Sequence, residues 1–289
     1  MELHQLRYFL AVVHSGSFTA AAQKSFVSQP SLSLQIAKLE DELGGRLFER
    51  GRAGARITER GKLLVPRAAA VMQQLESLRA EIDELDGLQR GELVLGCLPT
   101  TGAHILPVVL QEFSARHPDV SVQLREASSP GLAAMLNAYE IELAILDEAG
   151  LDESMQTDVL FQEPLLVALP PDHPQAEKPA VKLASLQNEK FILMRPDHGF
   201  HTIVMRALRQ AGIQPQVVYE SAEIDTVQGL VAAGLGISLV PAMVRRPAGI
   251  AYAAVEDQQV SRSLFLAHRG QLSPAARAMR EIALGCLSH

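Results

Sequence analysis

Two serine-capped helices near the N-terminus constrain the fold of this chain most. Ser17 and Ser28 are each good N-caps, and a short alanine-rich helix from Phe18 to about Ser25 lies between them. Pro30 falls in the first turn of the second helix, where its missing N–H is tolerated. Apolar residues then recur every three or four positions as one stripe for burial: Leu32, Ile36, Leu39 and Leu43. This pattern predicts a helix-turn-helix.

The face of the second helix opposite the stripe carries side chains that suit DNA. In a helix-turn-helix, the N-terminal turn and outer face of this helix enter a major groove. Serine and glutamine donate to phosphates or base edges, lysine contacts phosphates, and an outward leucine can meet a thymine methyl group. The candidate DNA contacts on this helix are Ser28, Gln29, Pro30, Ser31, Ser33, Leu34, Gln35 and Lys38. Periodicity alone also fits a three-helix core with a solvated polar face.

A basic hairpin follows this helix. After a Gly-Gly pair, the chain reads RLFERGRAGARIT, with apolar residues on both sides of a tip rich in glycine and arginine. This pattern predicts a two-stranded wing whose arginines contact phosphates or the minor groove: Arg50, Arg52 and Arg56. A first helix with apolar residues from Leu3 to Val13 completes the predicted winged DNA-binding unit, residues 1–58.

Charge is distributed unevenly along the chain. The net charge of −7 by itself argues against a nucleic-acid partner, but residues 1–60 contain eight basic and six acidic residues. Residues 91–289 contain fourteen basic and twenty-two acidic residues. Because the balance changes sign along the chain, the N-terminal part is the one suited to phosphates, and double-stranded DNA is its expected partner.

Residues 59–90 are predicted to form a linker and dimerisation helix with a hinge. Thr58 is its candidate N-cap, and Pro66 lies inside the helix. Steps of three and four residues alternate along an apolar heptad seam: Ala68, Val71, Leu75, Leu78, Ile82 and Leu85. The seam favours pairing with the same helix of a second copy. A lone amphipathic helix packed on its own domain is the alternative.

Strand-like and helix-like segments alternate over residues 91–289. This alternation predicts an α/β domain with a mostly parallel sheet and helices on both faces. The pattern is similar in kind before and after about residue 163, so two lobes with a cleft between them are expected. No apolar run approaches the roughly 20 residues of a membrane span, and the N-terminus lacks a basic leader. We therefore expect a cytoplasmic protein with no membrane partner.

Polar residues gather where the predicted strands of this domain end and helices begin. Ligands bind at such strand ends, and the free N–H groups of helix starts favour anions. An organic anion in the cleft is therefore the expected small-molecule effector, although each hydroxyl also fits a simple helix cap. The candidate effector contacts are Pro99, Thr100, Thr101, Ser128, His198, His201, Thr202 and Thr226.

The sequence indicates no cofactor, metal or catalytic residue. His198 and His201 form a pair without a third ligand at clear spacing, so ordinary loop histidines are the simpler interpretation. The Gly-Leu-Gly at 234–236 is too short a motif for a dinucleotide site. Cys97 and Cys286 lie among apolar residues, as is typical of buried reduced thiols.

The N-terminal segment resembles a known family over dozens of positions in register. The DNA-binding signature of LysR-type transcriptional regulators is similar to the stretch LRYFLAVVHSGSFTAAAQKSFVSQPSLSLQIAKLEDELGGRLFER, and the start of their linker helix resembles RITERGKLLVP. The resemblance implies a winged helix-turn-helix that dimerises through the linker helix. It also implies a palindromic site contacted by Ser28, Gln29, Ser33 and Gln35. The family usually has a polar or basic residue where this chain has Leu34.

The remainder resembles the regulatory domain of the same family at PVVLQEFSARHPDVSVQL, EPLLVALPPDHP, LVAAGLGISLVP and SPAARAM. This implies a type II periplasmic-binding-protein-like fold with lobe I at 91–162 and 268–289 and lobe II at 163–267. It places effector contacts at Thr100, Thr101, Ser128, His201, Thr202 and Thr226. The apolar seam and the polar helix starts lead us to expect a homodimer or homotetramer whose DNA binding or bending responds to the effector, with RNA polymerase as a further candidate partner.

Alternative functions would leave other marks in the sequence. A peroxide-sensing member of the family would carry reactive cysteines before the lobe II helix, where this chain reads RPDHGFHT, so only Cys97 remains as a candidate thiol. An enzyme would need a nucleophile–base pair, a metal cluster or a phosphate loop, and none is visible. A pure ligand-binding protein would not need the basic wing.

Overall fold

The computed structural model describes residues 1–51, 54–85 and 91–287. It divides into two compact units, residues 1–90 with 137–140 and residues 91–136 with 141–289. The predicted class is confirmed: a winged helix-turn-helix with a long helix, and a two-lobed α/β domain.

The first unit contains three short helices, a hairpin and a long helix. Their bounds are α1 Leu3–Ser15, α2 Phe18–Lys24, α3 Gln29–Glu42, β1 Phe48–Gly51, β2 Gly54–Ile57 and α4 Glu59–Leu85. Both predicted serine caps are present. Ser17 Oγ accepts a hydrogen bond from Ala20 N at 3.4 Å, and Ser28 Oγ accepts one from Ser31 N at 3.3 Å. These bonds satisfy N–H groups that a helix start leaves unpaired.

The core of the first unit forms around two phenylalanines. Phe9 of α1 and Phe48 of β1 are both buried, and their ring centroids lie 5.4 Å apart. The predicted stripe of α3 is fully buried at Leu32, Ile36 and Leu39. Burial of this stripe orients α3, so its opposite face is turned away from the core.

Side-chain bonds to the backbone fix the hairpin relative to α3. Glu40 Oε1 accepts a hydrogen bond from Leu47 N at 2.7 Å, just before β1. Thr58 Oγ1 donates to Arg46 O at 2.8 Å and accepts from Gly61 N at 3.1 Å. Thr58 is therefore the N-cap of α4, as predicted, and it also holds the base of the wing.

The second unit has two lobes. Lobe I contains β3 Gly91–Cys97, α5 Pro99–His104, α6 Leu106–Arg116, β4 Val120–Glu126, α7 Ser129–Asn137, β5 Leu143–Asp147 and α10 Pro274–Leu287. The long strand β6 Gln156–Leu169 leads into lobe II, and β12 Ser261–His268 returns to lobe I. Lobe II contains β7 Ala180–Val181, β8 Lys190–Met194, α8 Gly199–Gln210, β9 Gln216–Ser221, α9 Ile224–Ala232, β10 Ser238–Pro241 and β11 Ala251–Val255.

Strand pairing locates the two crossings between the lobes. The first part of β6 pairs antiparallel with β12, and its last part pairs with β10 and β11 of lobe II. β12 also pairs with β5 from Leu264 to His268. The hydrogen bonds of β12 place this strand in the sheet of lobe I, whereas the predicted end of lobe II is residue 267. The chain re-enters lobe I at Ser261.

The sheets are more mixed than the predicted, mostly parallel arrangement. β3 pairs parallel with β4 and β5, and β8 pairs parallel with β9. β10 and β11 pair antiparallel with β6, and β12 pairs antiparallel with β5 and β6. The antiparallel pairs arise where the chain crosses between lobes, so the crossings rather than the βα repeats break the parallel order.

Candidate functional site

The outer face of α3 carries most of the predicted DNA contacts. The exposed ones are Ser28, Gln29, Pro30, Ser31, Leu34 and Lys38, and the half-buried ones are Ser33 and Gln35. Leu34 is 57% exposed although it is apolar, so this helix presents a methyl-rich patch between polar groups. Such a mixed face suits the edges of bases in a major groove.

Hydrogen bonds preorganise this face. Gln29 Nε2 donates to Ser33 Oγ at 2.9 Å. Gln5 Nε2 on α1 donates to Gln35 Oε1 at 3.2 Å. This bond uses the amide oxygen of Gln35, so the amide nitrogen is the group with which Gln35 can donate. Because Gln5 is itself buried, the Gln35 side chain is held from within the core of the unit.

The structure describes only part of the basic wing. Arg56 of β2 is exposed and lies opposite Glu49 of β1 in the hairpin register. Arg50 has a described backbone in β1, and Arg52 lies outside the described residues. Among the basic side chains predicted to contact phosphates, Arg56 and Lys38 are the two whose exposure the structure shows.

Phe26, in the turn between α2 and α3, is an unforeseen feature of this surface. It is 95% exposed and has a φ of 54°, in the left-handed region that glycine usually fills. Phe26 N donates to Gln23 O at 3.2 Å and Val27 N donates to Ala22 O at 3.0 Å. These two bonds form a Schellman motif at the end of α2, and they impose the unusual conformation on Phe26.

A cavity of about 220 Å³ lies between the two lobes of the second unit. Three predicted effector contacts line it: Pro99, Thr100 and His198. Its apolar lining includes Leu98, Met194, Phe200, Ile224 and Pro241. A concave site with apolar walls and a few polar groups is the usual form of a small-molecule site.

The other five predicted contacts do not line this cavity. Thr101 is fully buried in lobe I, and its Oγ1 has no hydrogen-bond partner among the described residues. Ser128 is half-buried, and His201 Nδ1 lies 2.7 Å from Met194 O. Thr202 and Thr226 are exposed near the starts of α8 and α9. Neighbouring residues of a helix point about 100° apart, so nearness to a helix start does not bring a side chain into the cleft.

A buried ion pair borders the cavity. Arg262 of β12 lines it, and its Nε donates to Glu163 Oε1 of β6 at 2.6 Å. The same guanidinium donates to Thr100 Oγ1 at 3.4 Å and lies 5.5 Å from the ring centroid of Phe200. Glu163 Oε2 accepts a bond from Met243 N at 2.8 Å. Arg262 thus contacts both lobes at the point where the chain crosses between them.

Four carboxylates line the same cavity, and none was predicted from the sequence: Glu126, Asp147, Glu223 and Asp225. Asp147 is 1% exposed, and its Oδ1 accepts a hydrogen bond from Ala149 N at 3.1 Å. The other three are exposed. The cleft is therefore more acidic than the predicted set of hydroxyls and imidazoles implies.

Two other kinds of feature are absent from the described residues. No group of three or more His, Cys, Asp or Glu side chains there is arranged to hold a metal ion. Among these residues, no helix combines the length and apolar character needed to cross a bilayer.

Family models match both units. Residues 3–62 match a bacterial regulatory helix-turn-helix protein of the lysR family, and residues 86–285 match the LysR substrate binding domain. The chain belongs to the LysR family. It is a LysR-type transcriptional regulator with a helix-turn-helix DNA-binding domain and an effector-binding domain.

The similarity of this LysR-type regulator to known relatives extends over nearly the whole chain. The DNA-binding transcriptional dual regulator OxyR of Escherichia coli (strain K12) is 32% identical over 273 residues, 93% of this chain and 90% of that protein. A full-length OxyR variant from Pseudomonas aeruginosa is 28% identical with a TM-score of 0.81, and the match covers 99% of this chain and 94% of that one. Full-length CbnR in complex with its target DNA is 26% identical with a TM-score of 0.67, covering 98% and 99%. OxyR of Escherichia coli is by its description a transcriptional regulator, and CbnR is solved on its target DNA.

The thiol of Cys97 in this LysR-type regulator is held in its neutral form. Cys97 ends β3 and is fully buried. Burial, followed by the nearby charge of Glu126, raises the pKa of the thiol to about 12. Since the thiolate is the reactive form, Cys97 is inert near neutral pH.

The buried ion pair and the acidic lining residues left a weak signal in the sequence. Glu163 and Arg262 are the charged residues of the segments FQEPLLVAL and SRSLFLAH, each next to an apolar run. A single charge at a buried strand position calls for a buried partner, but the register that pairs these two is set only by the fold. Glu223 and Asp225 look like ordinary acidic residues at a helix start.

Proposed function

We propose that this LysR-type regulator binds double-stranded DNA through α3 and the wing, and that a small molecule in the inter-lobe cavity modulates this binding or the bending of the DNA. The observation that carries the proposal is the exposed polar face of α3, whose apolar side is wholly committed to the core. The similarity to CbnR, solved with its target DNA, supports it.

Each side chain of the proposed DNA site has a distinct task. Ser28 and Ser31 at the start of α3 contact phosphates, while Gln29 and Gln35 contact base edges. Ser33, Pro30 and Leu34 complete the surface that meets the bases, and Leu34 suits a thymine methyl group. The basic side chains that bind the backbone are Lys38, Arg50, Arg52 and Arg56. Residues 1–58 form this proposed DNA-binding domain.

A dimer paired along α4 is the second part of the proposal. Along the predicted seam, Val71, Leu78 and Ile82 are 45%, 53% and 51% exposed, whereas Ala68 is buried in the first unit. An apolar row exposed at heptad spacing is stabilised by a second copy of the same helix. Residues 59–90 form the proposed linker, and pairing of the effector domains, residues 91–289, would give a homotetramer.

The cavity is the proposed effector site, with Pro99, Thr100 and His198 among its contacts. In this proposal the chain acts by binding rather than by catalysis. It acts in the cytoplasm, where its DNA is, and RNA polymerase is a proposed partner at promoters. The other predicted contacts lie outside the lining of this cavity, and the proposal gives them no direct contact with the effector: Thr101, Ser128, His201, Thr202 and Thr226.

A salt titration of duplex binding tests the proposed function. Fluorescence anisotropy with a labelled duplex from the region upstream of the gene should show affinity that falls steeply as salt rises, because phosphate contacts release counterions. Analytical ultracentrifugation of the same sample should show a dimer or tetramer. A monomer without affinity for any duplex would refute the proposal.

A further inference from the structure

The start of α8 is already occupied by a carboxylate of the chain. A Cβ atom placed on Gly199, the first residue of α8, would lie 2.5 Å from Asp147 Oδ1 and 2.8 Å from Oδ2. The Asp147 carboxylate therefore lies directly against the N-terminus of this helix, whose partial positive charge favours an anion. A carboxylate of a ligand would have to displace Asp147 to use this helix start.

The start of α9 carries negative charge from its own residues. Glu223 is the N-cap residue of α9, and Asp225 lies in its first turn. Both side chains line the cavity, and neither forms an ion pair or accepts a hydrogen bond in the described part of the chain. Their negative charges offset the helix N-terminus and remain available to a ligand.

The permanently charged arginine at the cavity is already paired with a carboxylate of the chain. Arg262 is the one Arg or Lys side chain among the described residues of the lining, and the carboxylate of Glu163 holds it at 2.6 Å. Glu126, on the lobe I side, is a further lining carboxylate without an ion pair in the described ranges. The field of its charge reaches Cys97, whose pKa it helps to raise.

We propose that the effector of this regulator carries a positively charged nitrogen, an amine or guanidine, on an apolar body. The nitrogen lies among the carboxylates of Glu126, Glu223 and Asp225, and the apolar body lies against Phe200 and Ile224. A ligand anion would meet four lining carboxylates and a compensated arginine, whereas a ligand cation gains from the same charges.

This inference rests on the proposed function, which assigns effector binding to this cavity. It differs in charge from the organic anion predicted from the sequence. That prediction depended on free N–H groups at helix starts. Asp147, distant in the sequence, lies against the start of α8, and the start of α9 carries its own acidic residues, Glu223 and Asp225.

Matched ligand pairs on the full-length protein test the proposal. Titration calorimetry would compare phenethylamine with phenylpropionate, and putrescine with adipate, at low salt. The variants are Glu223→Gln with Asp225→Asn in lobe II, and separately Glu126→Gln in lobe I. The control is Glu153→Gln with Asp119→Asn, two exposed carboxylates outside the cavity lining. Circular dichroism checks that each variant is folded.

At least one amine should bind more tightly than its matched carboxylate. The double variant should weaken that amine roughly tenfold, the scale of two partly exposed charge pairs, and Glu126→Gln should weaken it by a smaller factor. The control should leave the affinity unchanged. The proposal is overturned if the carboxylates bind as tightly as the amines, if neither class binds, or if the neutralised variants bind amines as well as the parent does.

Duplex binding by the same preparations separates the two proposals. If salt-dependent DNA binding is present but amines show no preference, only the charge of the effector has been misassigned. If no duplex is bound, the proposed function itself fails, whatever the ligand titrations show.

Discussion

Arg262 and Glu163 face each other across β12 and β6 as a buried pair, with Nε 2.6 Å from Oε1 and side chains only 2% and 6% exposed. The pair lies where the chain crosses between the lobes, and its guanidinium also reaches Thr100 of lobe I and Met243 of lobe II. A buried charge that loses its partner is costly, while a pair replaced together is much less so.

We therefore expect Arg262→Met to lower the free energy of unfolding of the effector domain by about 3 kcal/mol, because it leaves the Glu163 carboxylate buried without a counter-charge. Adding Glu163→Gln should recover part of that loss. The chain contains no tryptophan, so urea unfolding followed by circular dichroism is the suitable measurement. Losses that simply add in the double variant would show that the two side chains are not coupled.

Gln29→Ala should weaken binding to a specific duplex by about 1–3 kcal/mol, the range for loss of a good contact to a base. Gln29 is exposed at the start of α3, so thermal stability should be unchanged. Gln210→Ala, an exposed glutamine at the end of α8, is the matched control. Anisotropy with specific and scrambled duplexes gives the readout, and equal affinities of parent and variant would exclude Gln29 from base contact.

Leu78→Asp should shift the protein towards monomer in analytical ultracentrifugation. Leu78 is 53% exposed on α4, so in the monomer a polar side chain there disturbs no core. In a paired helix it would place a charge in an apolar seam and oppose pairing. Leu78→Met should associate normally. If Leu78→Asp remains a dimer, α4 is not the dimer interface.

Cys97 should resist hydrogen peroxide at neutral pH. With a pKa of about 12, roughly one thiol in 10⁵ is ionised at pH 7. In a Cys286→Ser background, mass spectrometry should find Cys97 unmodified in the native protein and oxidised after denaturation. Stoichiometric oxidation of the native protein would contradict this. The pKa of the Cys97 thiol is higher in the folded protein than the value of about 9 in the unfolded chain. The contribution of this thiol to the free energy of unfolding should therefore be constant below pH 9 and should fall between pH 9 and about 12.

Phe26→Asn should raise the free energy of unfolding of the DNA-binding domain by about 0.5–1 kcal/mol. Phe26 has a φ of 54° and is 95% exposed, and asparagine adopts the left-handed region more readily than phenylalanine. Phe26→Ala removes the ring but keeps the backbone strain, so it should not stabilise. Thermal unfolding checks both, and equal midpoints for Asn and Ala would show that φ is not the cause.

The local sequence pattern was sufficient to predict the helices and caps of the DNA-binding unit. The caps Ser17, Ser28 and Thr58 and the buried stripe of α3 depend on residues within one or two helical turns, and the structure has them as predicted. Phe26 was missed because its φ is imposed by the Schellman bonds and leaves no mark on residue type.

The effector cavity depended on contacts that sequence spacing does not encode. The sequence by itself determined the helix-turn-helix, the alternating strands and helices and the apolar seam of α4, because each follows from the period of one element. Only the tertiary structure decided that Asp147 covers the start of α8, that Glu163 pairs with Arg262, and that β12 belongs to lobe I. Residues far apart in the chain meet there, and the register and burial that join them are properties of the packed lobes.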